Sequence, residues 1–437
     1  MKFMIVAKCR KICSNKAMLN GALFSIFSFV NRGISFVLLL ILASYITPKE
    51  YGYLNLYSTV GMVLSYFIAM STAGYTSIIF FREGKNGVAK TFSSVLLIST
   101  IMLLIFEIVL AIGHNFIPAI LQLSLNILNI AIFVSFFNTF GQFWLDYYRL
   151  NENVKFCGVL TCGTALLNFF ISIYLVKYLR MSWEGRVYAE FTMSLLLGGS
   201  SIIYFLKKGF FTRNIKSYLK NMLLWGIPLI PHMATTFIRQ GCDRYIINAY
   251  HSIGDVGLFS FALNLSNIIT MVGFGFNQSN SVDIFKILSD NNLSKGEILQ
   301  KVNRQKKTFL ILYLVVAIVV FIVCFSILPI ILPKYSSALK YFPLLALYGL
   351  LVCFYFVYTN FLFFYKKTKN LMYITFLSSV LHLFLSLCFT RYSLFITASL
   401  YVLTQFLVVI TVRRIANALL EKNLNVKKMS KCWYIKY

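Results

Sequence analysis

Acidic residues are scarce in this chain. Only 13 of its 437 residues are Asp or Glu, and charged residues of both signs reach just 12%, about half the share found in soluble domains. With 59% apolar residues, that scarcity excludes a soluble globular domain and also excludes disorder. Metal-ligand patterns are missing as well. The four histidines are isolated, and the nine scattered cysteines contain no pair at metal or redox spacing, so they read as small packing residues and no cofactor is expected. Long polar segments are equally rare: the longest, 281–308, leaves no room for a soluble catalytic domain, so the chain does not read as an enzyme.

What the chain has in plenty is apolar helix and positive charge. A bilayer core of roughly 30 Å needs about 20 apolar residues of helix. Twelve such runs are expected, at 21–46, 54–81, 92–113, 121–144, 154–176, 183–206, 222–250, 256–280, 309–332, 342–365, 371–390 and 394–412. The 41 Lys and Arg give a net charge of +28, which in a soluble chain would suggest nucleic acid. Here 31 of them fall in the two tails and alternate loops, and only six in the intervening loops. That asymmetry is the positive-inside signal, which predicts both termini in the cytoplasm and implies no nucleic-acid partner. The first apolar stretch is too long for a cleaved signal peptide. The fold class expected is all-α integral membrane protein, with twelve transmembrane helices in two six-helix lobes. The boundaries are a basic tail at 1–20, a lobe at 21–206, a linker at 207–221, a second lobe at 222–412 and a basic tail at 413–437.

The two lobes are suggested by an internal repeat. The segment SYITPKEYGYLNLY at 44–57 has a counterpart, AYHSIGDVGLFSFA, at 249–262. At this offset Tyr45 falls on Tyr250, Thr47 on Ser252, Glu50 on Asp255 and Gly52 on Gly257. The offset spans six helices, an even number, so the halves run in parallel through the membrane with a pseudo-twofold axis along its normal. That arrangement is a transporter architecture.

Ionisable residues inside spans are costly and usually face protein or a watery cavity. Arg32 lies near the middle of the first run, either in a buried ion pair or facing a cavity. Arg239 occupies a similar depth in the seventh, with Asp243 four residues on and Arg244 next to it. Arg239 and Asp243 share a helical face and can neutralise each other locally. If Arg32 and Arg239 instead face a cavity, they form a cationic clamp suited to phosphate oxygens. Arg186 and Glu190 are favoured as a local ion pair, Glu107 lacks a sequence-local partner, and Asp146 and Asp283 read as solvated helix ends. Asp243, Glu190 and Glu107 are the candidate coupling carboxylates. Pro228 and Pro231 should bend or break the seventh helix, giving a candidate hinge.

These residues carry a resemblance. YITPKEYGYLNLYSTVG after the first run, and the stretch from GIPLIPH through IRQGCDRYIINAY to VGLFSFALNLSNII, resemble the Wzx-type flippases of lipid-linked oligosaccharides, the polysaccharide branch of the multidrug/oligosaccharidyl-lipid/polysaccharide (MOP) exporter superfamily. Where that family often carries Pro after the eighth span, this chain reads SNSVDIF. The resemblance implies two six-helix lobes around a cavity. It also implies export of an O-antigen or related repeat unit on undecaprenyl diphosphate, in lipopolysaccharide biosynthesis at the cell inner membrane. Arg32, Arg239 and Arg244 would hold the diphosphate, membrane lipids would be partners, and a polysaccharide polymerase and chain-length regulator would be further partners. Two alternatives stand beside it: an ion-coupled drug or small-molecule antiporter of the same superfamily, and a multi-span polymerase or ligase.

Overall fold

The computed structural model of the protein describes residues 16–433 apart from 71, 72, 214 and 291. Nearly all of these are helical, and no strand occurs among the described residues. The reason is environmental: in hydrocarbon every backbone N–H and C=O must be satisfied within its own segment, and a helix does this. Helices α1 to α6 are Lys16–Tyr45, Pro48–Ile68, Ala73–Ile112, Leu125–Leu150, Val154–Tyr178 and Ser182–Lys207. A broken helix follows, made of α7a (Lys216–Gly226), a 3-10 turn at Ile227–Leu229, α7b (Ile230–Thr236), a π turn at Phe237–Gly241, and α7c (Cys242–Tyr250). Helices α8 to α12 are Ile253–Ser289, Lys295–Ile331, Phe342–Phe364, Thr368–Phe389 and Leu394–Trp433.

Ten helices among the described residues are long and apolar enough to cross a membrane. The sequence had suggested twelve spans, and the two exceptions have physical causes. The run at 54–81 does not form one helix. Helix α2 stops at Ile68, Met70 takes a left-handed φ of 45°, and the residues from Ala73 onward join α3. Helix α3 itself kinks at Gly84, whose φ of 61° and ψ of −148° interrupt it within the polar stretch REGKNG. The run at 222–250 is the broken α7. Large apolar side chains such as Ile112 and Ile330, each 80% exposed, face outward as a lipid-exposed surface would. The protein is a multi-pass membrane protein.

The repeat noted in the sequence turns out to be a pair of matched helix starts. Thr47 caps α2, accepting from the Glu50 backbone N–H while Glu50 accepts from the Thr47 backbone, a complete capping box. Ser252 caps α8 in the same way, accepting from the Asp255 N–H and donating to the Asp255 carboxylate at 2.6 Å. Each motif satisfies amide donors that the first helical turn leaves without partners.

By its internal contacts the chain divides into two compact units, 1–234 and 235–437, and the division falls inside α7. In the first unit, α4 and α6 approach so closely at Gly198 that a Cβ there would stand 2.2 Å from the Phe137 carbonyl oxygen. Phe92, Phe140, Phe143, Tyr147 and Phe205 fill the adjacent core, joined by Met222 of α7a, so that segment packs with the first unit. In the second unit, Gly349 brings α10 against α8 with equal economy: an added Cβ would lie 2.9 Å from the Ser266 carbonyl. Such small-residue contacts replace the hydrophobic drive that lipid cannot supply.

Candidate functional site

The site begins with the irregular backbone of α7. Proline lacks an N–H, so Pro228 and Pro231 remove two helical donors, and the chain passes through a 3-10 turn there. A π turn follows at Phe237–Gly241 and holds one residue more per turn than an α-helix. This wider turn shifts the register between Arg239 and Asp243. The local ion pair that their spacing allowed is absent among the described residues, and each side chain finds partners on α11 and α12 instead.

Asp243 is 1% exposed. Its Oδ2 lies 2.8 Å from Nε2 of His382, and its Oδ1 accepts from the Ser386 hydroxyl at 2.6 Å. His382 is itself fully buried, with its ring edge-on to Tyr401 at a centroid distance of 4.6 Å. Its other nitrogen, Nδ1, stands 3.3 Å from Oγ1 of Thr404. The same hydroxyl oxygen accepts from a terminal nitrogen of Arg239 at 3.2 Å, and the Tyr401 hydroxyl donates to the Arg239 backbone carbonyl at 3.0 Å. A continuous polar chain thus runs from Ser386 through Asp243, His382 and Thr404 to Arg239.

Arg239 is the far end of that chain and also lines a cavity of about 200 Å³. Tyr348, Tyr355, Gln240, Ser379 and Gln405 line it too, and Arg239 is the one charged residue among the described lining residues. The guanidinium carbon lies 5.5 Å from the Tyr348 ring centroid, a cation–π distance. Its Nε is buried with no hydrogen-bond partner. The cavity therefore offers an incompletely satisfied guanidinium, hydroxyls and amides, and aromatic faces, a set suited to a polar anionic ligand.

The other residues singled out from the sequence lie elsewhere. Arg244 is half-buried on α7c, and both it and Asp243 act electrostatically on Tyr401. Arg32 is exposed on α1. Arg186 does not pair with Glu190; it donates to Oδ1 of Asn168 at 2.9 Å and to the Ser172 hydroxyl at 3.4 Å. The reason is geometric, since α5 packs beside α6 and presents two polar side chains to that guanidinium. Glu190 and Arg186 both lie within electrostatic reach of the buried Tyr57. Glu107 keeps one buried carboxyl oxygen without a partner. Asp146, expected to be solvated, pairs with Arg149 at 3.0 Å and lines a small cavity of about 60 Å³ with Thr76 and Gln142.

Sequence reading missed His382, Thr404, Ser386 and Tyr401. A signal was present: Ser379, His382 and Ser386 on α11 and Thr390 at its C-cap recur every three or four residues, a polar stripe in an otherwise apolar span. His382 looked isolated because its carboxylate partner is 139 residues away.

The chain matches the family described as polysaccharide biosynthesis protein over residues 18–281. Among curated proteins it is similar to the Lsg locus putative protein 1 of Haemophilus influenzae, 21% identical over 373 residues that cover 84% of this chain and 90% of the relative. Among solved structures it is similar to the lipid II flippase MurJ in an inward closed conformation, with a TM-score of 0.71, 16% identity, and coverage of 95% of this chain and 93% of the other. It is also similar to an inward-facing multidrug resistance MATE family transporter of the MOP superfamily, with a TM-score of 0.61, 12% identity, and coverage of 93% and 96%. The chain belongs to the polysaccharide biosynthesis protein family, and its fold is similar to those of the MurJ and MATE structures.

Proposed function

We propose that this protein is a flippase that carries an oligosaccharide on undecaprenyl diphosphate from the cytoplasmic to the outer leaflet of the cell inner membrane, by alternating access. Unaided, the headgroup would expose two phosphates and many hydroxyls to hydrocarbon that cannot hydrogen-bond them, at a cost of several kcal/mol per group. A polar cavity within the protein replaces that environment. No covalent chemistry is involved, so the protein acts as a transporter rather than an enzyme.

The observation that carries this reading is the guanidinium of Arg239. It enters a polar, aromatic-lined cavity, has an unpartnered buried Nε, and is not neutralised by the nearby Asp243, whose oxygens are engaged by His382 and Ser386. An anion with paired oxygens completes its hydrogen bonding. Tyr348 and Tyr355 offer flat faces for sugar rings, and Gln240 and Gln405 offer donors and acceptors for hydroxyls. Arg244, beside Asp243, is a further candidate cation of the second unit, and Arg32 on α1 is a separate candidate cation of the first. The likeness to MATE transporters supports the second reading, an ion-coupled small-molecule antiporter.

Cells that depend on this protein for glycan export provide the test. Replacing Arg239 or Arg32 with Ala should leave lipid-linked glycan accumulating on the cytoplasmic leaflet, with normal protein levels. Full export by both variants contradicts the diphosphate role, and drug efflux without glycan export supports the antiporter.

A further inference from the structure

The hydroxyl of Thr404 has one proton to give, and three acceptors surround it, the most distant being the Tyr401 carbonyl at 3.5 Å. It stands 2.8 Å from the Leu400 carbonyl and 3.3 Å from Nδ1 of His382, while its oxygen already accepts from Arg239 at 3.2 Å. Nε2 of His382 donates to Asp243, whose second oxygen is held by Ser386. Two arrangements satisfy these contacts. With a neutral imidazole, Nδ1 is an acceptor and takes the Thr404 proton. With an imidazolium, Nδ1 is a donor, the Thr404 proton turns to Leu400, and the hydroxyl oxygen accepts from both His382 and Arg239. The two states differ by one proton on the ring and one hydroxyl rotation, with no repacking.

The charge consequence is larger. In the imidazolium state two cations share one neutral oxygen, and like charges at such distance repel strongly in a site of low dielectric. The side chain of Arg239 is then pushed from Thr404 toward the cavity it lines, where an anion relieves the repulsion. We propose that His382 is a proton-binding site linked through Thr404 to Arg239, so that the cavity binds a diphosphate anion together with a proton. The inference rests on the diphosphate reading above and deepens it: the imidazolium supplies a second positive charge for a doubly charged ligand.

The groups that face His382 favour this assignment. Asp243 on α7c and Tyr401 on α12 touch it directly, Arg239 in the π turn reaches it through Thr404, and Arg244 and Tyr348 stand one residue further out, acting on Tyr401. His251 reaches the far end of the stripe at the Thr390 carbonyl, 2.7 Å away, and touches neither Asp243 nor Thr404. His382 is the group in this cluster with one ring nitrogen against Asp243 and the other against the hydroxyl that Arg239 touches, so a proton added to its ring changes the charge next to that guanidinium.

Linkage makes the claim quantitative. If protonation of His382 raises anion affinity tenfold, anion binding must raise the apparent pKa of the His382–Asp243 pair by one unit. The probe is farnesyl diphosphate, a short polyprenyl diphosphate without sugar. Its affinity for the purified full-length protein in nanodiscs is measured from pH 5.5 to 8, and the histidine ring nitrogens are followed by NMR, with His382 assigned by difference against His382→Gln. The wild type should bind about tenfold more tightly at the acid end than His382→Gln does, after both are normalised at pH 8. The His382 titration should move up by about one unit when the probe is bound. Thr404→Val, which keeps the shape and removes the relay, should retain a titrating His382 and lose the shift. Equal pH profiles in wild type and His382→Gln, or a downward shift on binding, overturn the proton linkage while leaving the flippase reading intact. Absence of probe binding at every pH overturns the diphosphate site itself.

Discussion

A double-mutant cycle on Asp243 and His382 asks whether the buried pair holds the second unit together. Asp243→Ala leaves the Nε2–H of His382 facing a void and the Ser386 hydroxyl with Thr390 as its side-chain partner, and His382→Ala takes the ring from one carboxylate oxygen while Ser386 still holds the other. Unpartnered buried polar groups cost about 1 to 3 kcal/mol each. Side-chain hydrogen bonds in membrane proteins average nearer 0.6 kcal/mol, because loosened groups find other partners. Here both residues are at most 1% exposed, so alternatives are few. The expected coupling is therefore about 1 to 2 kcal/mol. For a unit of about 200 residues that corresponds to roughly 2 to 8 °C in melting temperature. Equilibrium unfolding in mixed detergent and SDS micelles, followed by circular dichroism on wild type, both single variants and the double variant, gives the coupling directly. If the two single effects add to within about 0.3 kcal/mol, the pair contributes no specific stabilisation and the network argument fails.

Three further outcomes follow from the packing. Gly198→Val drives a side chain into the Phe137 carbonyl, so α4 and α6 must separate; the cost is about 1 to 3 kcal/mol, seen as a lower melting temperature in detergent. Thr47→Ala and Ser252→Ala each remove one helix cap, and each should cost about 0.5 to 2 kcal/mol by the same assay, with near-additive effects because the caps belong to different units. Arg239→Lys keeps the charge but not the paired donors, and should slow glycan flipping by roughly tenfold, against roughly a hundredfold for Arg239→Ala, in a leaflet-accessibility assay.

Hydropathy, charge asymmetry and the repeat made much of the fold legible, because these follow from the solvent a segment meets. The capping motifs at Thr47 and Ser252 are local, and their three-residue spacing to Glu50 and Asp255 already encoded two matched helix starts. What misled the reading was backbone irregularity inside apolar runs. The stop at Ile68 and the π turn at Phe237–Gly241 change register without changing hydropathy, so a span was misdivided, and the choice between a local Arg239–Asp243 pair and a cavity-facing Arg239 stayed open. The same limit applied to the site. Arg239 and Asp243 were visible as isolated costs in a membrane segment, whereas His382, Ser386 and Thr404 acquire meaning only when α11 and α12 fold back beside α7c.

The central claim is that this protein moves a diphosphate-linked glycan across a bilayer with Arg239 holding its charge. Purified protein reconstituted into liposomes with fluorescently labelled undecaprenyl-diphosphate oligosaccharide, whose outer-leaflet fraction is read by a membrane-impermeant quencher, measures that most directly. The account predicts protein-dependent equilibration of label between leaflets, reduced roughly a hundredfold by Arg239→Ala in protein that elutes as the wild type does. Liposomes in which wild-type protein moves no label, or in which Arg239→Ala moves it at the wild-type rate, would contradict it.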